Sequence, residues 1–328
     1  MDIQKGAEII IRDWIRLRGR ERLLIVSSRR YQIETDALKA AAEQVSSHVH
    51  VLLLDELSMY VGAYFNERET AFDAYDVIIG AAEYSLITTK AVKRAVSRRK
   101  RFLSLPLSTN NGQSMLSYRF LQADTAKSRI MALAMLDYFQ SANRIDIHTA
   151  LGTDLHLSVK GRKAAFFNGC CKDGKGLSSA SVEVYVPIVE DRTEGTFVLD
   201  GSMGYIGMVE RPVEICLNGG EITYIENNAS GKKLKDYIRC FQDQRMLTAS
   251  EFGIGLNTYS RCRGCCYIED ESAYGTFHIG FGRNIALGGM QDAVGHFDLV
   301  ARNADIYVDN QMIMEHGRIM ILEPHIYV

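Results

Sequence analysis

The chain has 328 residues, 47% of them hydrophobic and 24% charged, with 38 Lys and Arg against 40 Asp and Glu for a formal charge of −2. That balance suits a globular protein long enough for two cores and argues against a general nucleic-acid surface. No uninterrupted apolar segment is long enough to span a bilayer and no small-residue cleavage pattern follows the N-terminus, so a cytoplasmic protein without membrane partners is expected.

Residues 2–19 have helical spacing, with Ile9, Ile10, Ile11, Trp14, Ile15 and Leu17 toward one side. Glu21 to Ser28 (ERLLIVSS) is a continuous apolar run of the kind buried in a parallel sheet. TDALKAAAEQVSS reads as a helix, HVHVLLLDEL as a second strand and YDVIIGAA as a third. TTKAVKRAVSRR is a helix with Thr88 or Thr89 as its cap, and its basic run from Val92 to Phe102 reads as a solvated face. RFLSLP is a fourth strand, and Thr125 to Ala142 a closing helix. Alternating strands and helices predict an α/β domain with a parallel sheet over residues 1–143. It carries no glycine-rich phosphate loop, so its expected role is scaffold or oligomer contact.

From Arg144 the pattern becomes short alternating strands: RIDIHTAL, DLHLSVKG, KAAFFNG, VEVYVPIV and TEGTFVLDGSMG. His148 and His156 alternate on these strands and form a candidate pair on one face. RPVEICLNGGEITYIEN is a hairpin turning at Gly219–Gly220. GKKLKDYIRCFQDQ is a helix entered after Ser230–Gly231, and ADIYVDNQMIMEHGRIMI a second hairpin turning near Asp309–Asn310. Residues 144–328 are therefore expected to form a strand-rich α+β domain that binds metal and carries the chemistry. Seven cysteines without a secretion signal are read as reduced thiols. Cys262, Cys265 and Cys266 lack the fourth ligand of a structural zinc site, leaving an oxidation-sensitive cluster as the alternative.

Between Glu251 and Asp298 lie Glu251, Glu269, Asp270, Glu271, Asp292, Asp298, His278 and His296, interleaved with glycines. His296 and Asp298 are two apart, so on a strand they share a face, as a hydrogen-bonded pair or as ligands of a divalent transition ion. His278 sits in FHIGF with Phe277, Ile279 and Phe281 opposite, and Glu183 alternates with the valines of VEVYV. Asp270 and Glu271 read as the end of a turn.

The segments EFGIGLN, EDESAYGTFHIGFG, GG and HFD, with SVEVYVPIVEDRTEGTFVLDGSM upstream, resemble the aminopeptidase T family of thermophilic metallo-aminopeptidases. The resemblance runs from Ser181 to about the C-terminus, and covers the N-terminal half only as an architecture. It implies Glu183, Glu251, His278, His296 and Asp298 as metal ligands. Two divalent ions (Zn, Co or Mn) would activate a water, with Glu183 or Glu251 relaying its proton, to remove N-terminal amino acids from peptides or small amides. It also implies a homodimer. The tyrosine that such peptidases carry after the histidine motif falls at Ile285 here, with Tyr274 and Tyr267 as possible substitutes. A second resemblance, through His296 and Asp298, is to Fe(II)-dependent ring-cleaving dioxygenases acting on dihydroxypyridine. These use a two-histidine, one-carboxylate site and place a histidine where this chain has Glu251. The glutamate favours the hydrolase, which is the first expectation. The third is a ligand-retaining relative acting on another small molecule.

Overall fold

The computed structural model describes residues 1–54, 60–171 and 176–320. Residues 55–57 of the second expected strand and residue 321 of the second expected hairpin lie outside that set. The chain forms two compact units, Met1–Thr125 with Phe167–Val182, and Ala126–Phe166 with Glu183–Val328. In chain order the elements begin with α1 (Ile3–Ile9), β1 (Leu23–Ser28), α2 (Gln32–Glu43), β2 (Val49–Leu54), α3 (Val61–Glu67), β3 (Val77–Ala81), α4 (Lys90–Ser97) and β4 (Arg101–Ser104). Then follow α5 (Thr125–Phe139), β5 (Arg144–Thr149), β6 (Asp154–Ser158), β7 (Ala165–Asn168), β8 (Leu177–Ser179), β9 (Val182–Pro187), β10 (Glu194–Leu199), β11 (Val213–Asn218) and β12 (Glu221–Ile225). The last are α6 (Ala229–Cys240), β13 (Ala249–Gly255), α7 (Tyr267–Ser272), β14 (Phe277–Gly282), β15 (His296–Ala301), β16 (Ala304–Val308), β17 (Gln311–Glu315) and β18 (Arg318–Ile319).

The first unit holds a parallel sheet ordered β2-β1-β3-β4-β8. All five residues of β3 are buried, as its unbroken apolar run requires of a strand covered on both faces. Phe65, Phe72, Ile78 and Phe102 form part of the core beside this sheet. Thr89 caps α4, accepting from the Val92 N–H. The N-terminal helix is shorter than its periodicity predicts: α1 gives way to a π-helical turn over Ile10–Trp14, with the Ile15 N–H on the Ile10 carbonyl.

Two antiparallel systems follow, ordered β12-β11-β10-β6-β5-β16-β17-β18 and β15-β14-β13-β9-β7. The β11–β12 turn places Gly219 and Gly220 at φ +58° and +83°, the left-handed pair that a two-residue hairpin demands. In the second system β14 buries Phe277, Ile279 and Phe281 on one face, and Phe281 stacks on Phe297 of β15 at 5.5 Å. This apolar back fixes which side chains of β14 and β15 emerge on the other face. No helix among the described residues is long and apolar enough to cross a membrane.

Candidate metal centre

The other face of this sheet is a checkerboard of ligand-type side chains and glycines. Asp298 on β15 lies opposite Gly280 on β14, which lies opposite Glu251 on β13. One row on, His278 of β14 lies opposite Gly253 of β13, which faces Tyr185 of β9. His296 lies opposite Gly282, and Glu183 opposite Gly255. The bare positions are spaces that the large groups fill. A Cβ on Gly253 would stand 2.0 Å from His278 Nε2, and one on Gly280 would stand 2.8 Å from Asp298 Oδ1 and from His296 Cε1.

Glu251, His296 and Asp298 converge, each offering one ligand atom within 4.8 Å of the others, the one such group among the described residues. His296 Nε2 lies 3.1 Å from both Glu251 Oε2 and Asp298 Oδ1. His296 Nδ1 lies 2.9 Å from the Arg283 carbonyl, an acceptor only. Nδ1–H therefore donates to that carbonyl and Nε2 faces two carboxylates, which favour a proton there until a bound cation takes its place. Two carboxylates and an imidazole nitrogen facing one point call for positive charge between them, a proton or a metal ion. Glu183 and His278 form a separate pair one row away, with His278 Nε2 3.1 Å from Glu183 Oε2. His278 is 1% exposed and its Nδ1 has no hydrogen-bond partner.

Electrostatics points the same way. Burial raises the Glu251 carboxyl above its usual range, against the pull of His296, and the Asp298 and Glu183 charges add to the rise. Glu271 is pushed well above that range, first by burial and then by Glu183, Asp298 and Glu251. Burial pulls the imidazoles down, but their carboxylate partners outweigh it: His278 rises to about 9, chiefly through Glu183, and His296 goes well above its ordinary value. Burial also acts to raise Asp298, yet His296 holds it below its normal value. Four buried carboxyl groups against two imidazoles leave a demand for positive charge, and oxygen and imidazole donors without thiolate suit iron, manganese or zinc.

The family described as NicX, 2,5-dihydroxypyridine 5,6-dioxygenase, matches residues 70–321. The chain belongs to the NicX family. A 2,5-dihydroxypyridine 5,6-dioxygenase of Pseudomonas putida KT2440 is 25% identical over 218 residues, which are 62% of this chain and 61% of that relative. The solved structure of 2,5-dihydroxypyridine dioxygenase from the same organism superposes with a TM-score of 0.80 at 18% identity, over 97% of this chain and 96% of that one. Aminopeptidase T (AmpT) of Thermus thermophilus superposes with a TM-score of 0.65 at 12% identity, over 97% and 98%. At these identities both likenesses show the fold.

Membership of the NicX family overturns the metallo-aminopeptidase expectation, and with it the hydrolase and protease readings. The motifs that suggested a peptidase lie on β9, β13, β14 and β15 of a fold shared with aminopeptidase T. Strand positions belong to the scaffold, and the reaction does not follow from them. Ile285, expected to mark a lost oxyanion donor, opens a 3-10 turn after β14. Cys262 and Cys266 are thiols held above their usual range by burial, and no cysteine joins a ligand group among the described residues. His148 and His156 share the exposed face of β5 and β6, where Asp146 and Asp154 partner them. Glu271 is the residue that sequence reasoning missed. It lies on α7, a helix too short to show a period, and three successive buried acids at Glu269–Glu271 were its one signal.

Proposed function

We propose that the protein is a metal-dependent, ring-opening dioxygenase for a hydroxylated pyridine, with Glu251, His296 and Asp298 holding one iron(II) ion. The convergence of these three groups in a chain of the NicX family carries the proposal. The set is one imidazole and two carboxylates, so a divalent ion would be formally neutralised by its protein ligands. This departs from the two-histidine pattern expected of such dioxygenases. Bound there, the ion would supply the redox chemistry between dioxygen and the electron-rich ring.

The chain's own groups handle the proton. The Glu183 carboxylate accepts the proton of a ring hydroxyl as the ring enters. The His278 imidazolium, buried beside Glu183, then stabilises the ring oxyanion without water competing for it. Tyr185 lies in the row beside His278 and 5% exposed, and its phenol stays protonated because burial and the Glu251 and Glu183 charges raise it.

The test is an anaerobic preparation loaded with iron(II), mixed with 2,5-dihydroxypyridine and then with labelled dioxygen. The expected result is loss of the ring absorbance with one dioxygen consumed per ring and both labelled atoms in the open product. An intact ring under full iron loading would contradict the proposal.

A further inference from the structure

Arg283 follows the last residue of β14 and is 3% exposed, a rare place for a guanidinium. Its Nη2 donates to the Val294 carbonyl, while its Nε and Nη1 have no hydrogen-bond partner. A buried cation with two donor groups unmatched lowers stability, so its place calls for another explanation. The backbone supplies one. The Arg283 N–H donates to the Gly295 carbonyl at 2.7 Å, and the Arg283 carbonyl accepts from His296 Nδ1 at 2.9 Å. One residue thus grips Val294, Gly295 and His296 in turn, by its side chain, its N–H and its carbonyl. From the other side the Val294 N–H donates to Asp243 Oδ2 at 2.9 Å, and Arg245 donates to both oxygens of that carboxylate. The two chains have no slack between them, since a Cβ on Gly282 would stand 2.5 Å from the Gly295 carbonyl oxygen.

We propose that Arg283 is a positioning residue for the metal centre. Its guanidinium holds the Val294–Gly295 segment so that His296 enters β15 with Nδ1 on the Arg283 carbonyl and Nε2 toward Glu251 and Asp298. The inference rests on that triad as the metal site, adds what aims its imidazole, and is independent of the reaction. Two carboxylates on paired strands hold an ion in place, and an imidazole displaced from them binds it less well. The carbonyl and N–H of residue 283 remain in any variant, so a side-chain substitution tests the grip on Val294 by itself.

The experiment titrates full-length protein with cobalt(II), which accepts nitrogen and oxygen ligands and reports their geometry in its visible absorption. The wild type, Arg283→Met, Arg283→Lys, Asp243→Ala and Glu251→Ala are compared, with the unfolding temperature of each metal-free protein measured alongside. Arg283→Met keeps the bulk without the donor, and should weaken cobalt(II) binding about 10–100-fold and shift the visible band. Arg283→Lys returns a donor to the Val294 carbonyl and should bring affinity and band back to the wild type. Wild-type affinity and band in Arg283→Met, whatever its unfolding temperature, or a change that Arg283→Lys does not reverse, overturns the positioning role while the triad stands. Asp243→Ala loosens the same segment through the Val294 N–H and decides the matter where Arg283→Met does not fold. Its band should shift too, and a wild-type band there overturns the proposal. Cobalt(II) that binds the wild type and Glu251→Ala alike overturns the triad as the site, and the inference with it.

Discussion

A methyl group at position 280 would meet Asp298 Oδ1, His296 Cε1 and the Glu251 Cβ, all within 2.9 Å. Gly280→Ala should therefore destabilise the protein by about 1–3 kcal/mol through overpacking, and should abolish metal binding by separating the three groups. Thermal unfolding and a metal titration check this, and unaltered affinity would show that the triad is not the site. His278 makes a prediction about pH. In the unfolded chain its imidazole titrates near 6.5, and in the fold at about 9, because the pair with Glu183 outweighs burial. The stability it contributes is complete below the unfolded value and is lost as pH rises through about 9. Metal-free protein should lose denaturant resistance across that window, and His278→Gln should flatten the loss. At this scale much was legible, since His296 and Asp298 share a face by spacing alone. The pairing of Glu183 with His278 was not, because strand order decides it and periodicity carries no strand order.

Among the elements, long periodic runs were readable and short ones were not. β1 and β3 follow their hydrophobic patterns closely, whereas α5 forms where expected but buries Ser128 and leaves Ile130 and Leu133 exposed. β8 has three residues and joins the parallel sheet through backbone pairing to β4, which leaves no side-chain signature. α6 begins earlier than Gly231 suggests. Asn228 caps it by accepting from the Gly231 N–H at 2.9 Å, and Gly231 is needed for close approach, because a Cβ there would stand 1.9 Å from the Glu226 carbonyl oxygen. Asn228→Ala should cost about 1 kcal/mol of stability and leave metal affinity unchanged, as denaturant melts and a metal titration would show. A drop in metal affinity would mean that α6 supports the site more directly than its cap implies.

In the whole molecule, the chain leaves its first unit after Thr125 and returns to it for Phe167–Val182 before entering β13 to β15. That return is invisible to a reading that moves along the chain, because it depends on pairing between distant segments. Self-association is a proposal carried by the resemblance to aminopeptidase T: light scattering should find a dimer, and a monomer at all concentrations would contradict it. The proposed one-ion oxygenase differs from a two-ion hydrolase in using Glu251, His296 and Asp298, which converge, while Glu183 and His278 pair with each other. Metal content per chain distinguishes them, measured on protein reconstituted with iron(II) and desalted without oxygen, for the wild type, Glu251→Ala and Glu183→Gln. The expected result is one iron per chain in the wild type and in Glu183→Gln, and none in Glu251→Ala. Two ions per chain, falling to one or none in Glu183→Gln, would contradict a single-ion centre built on Glu251, His296 and Asp298.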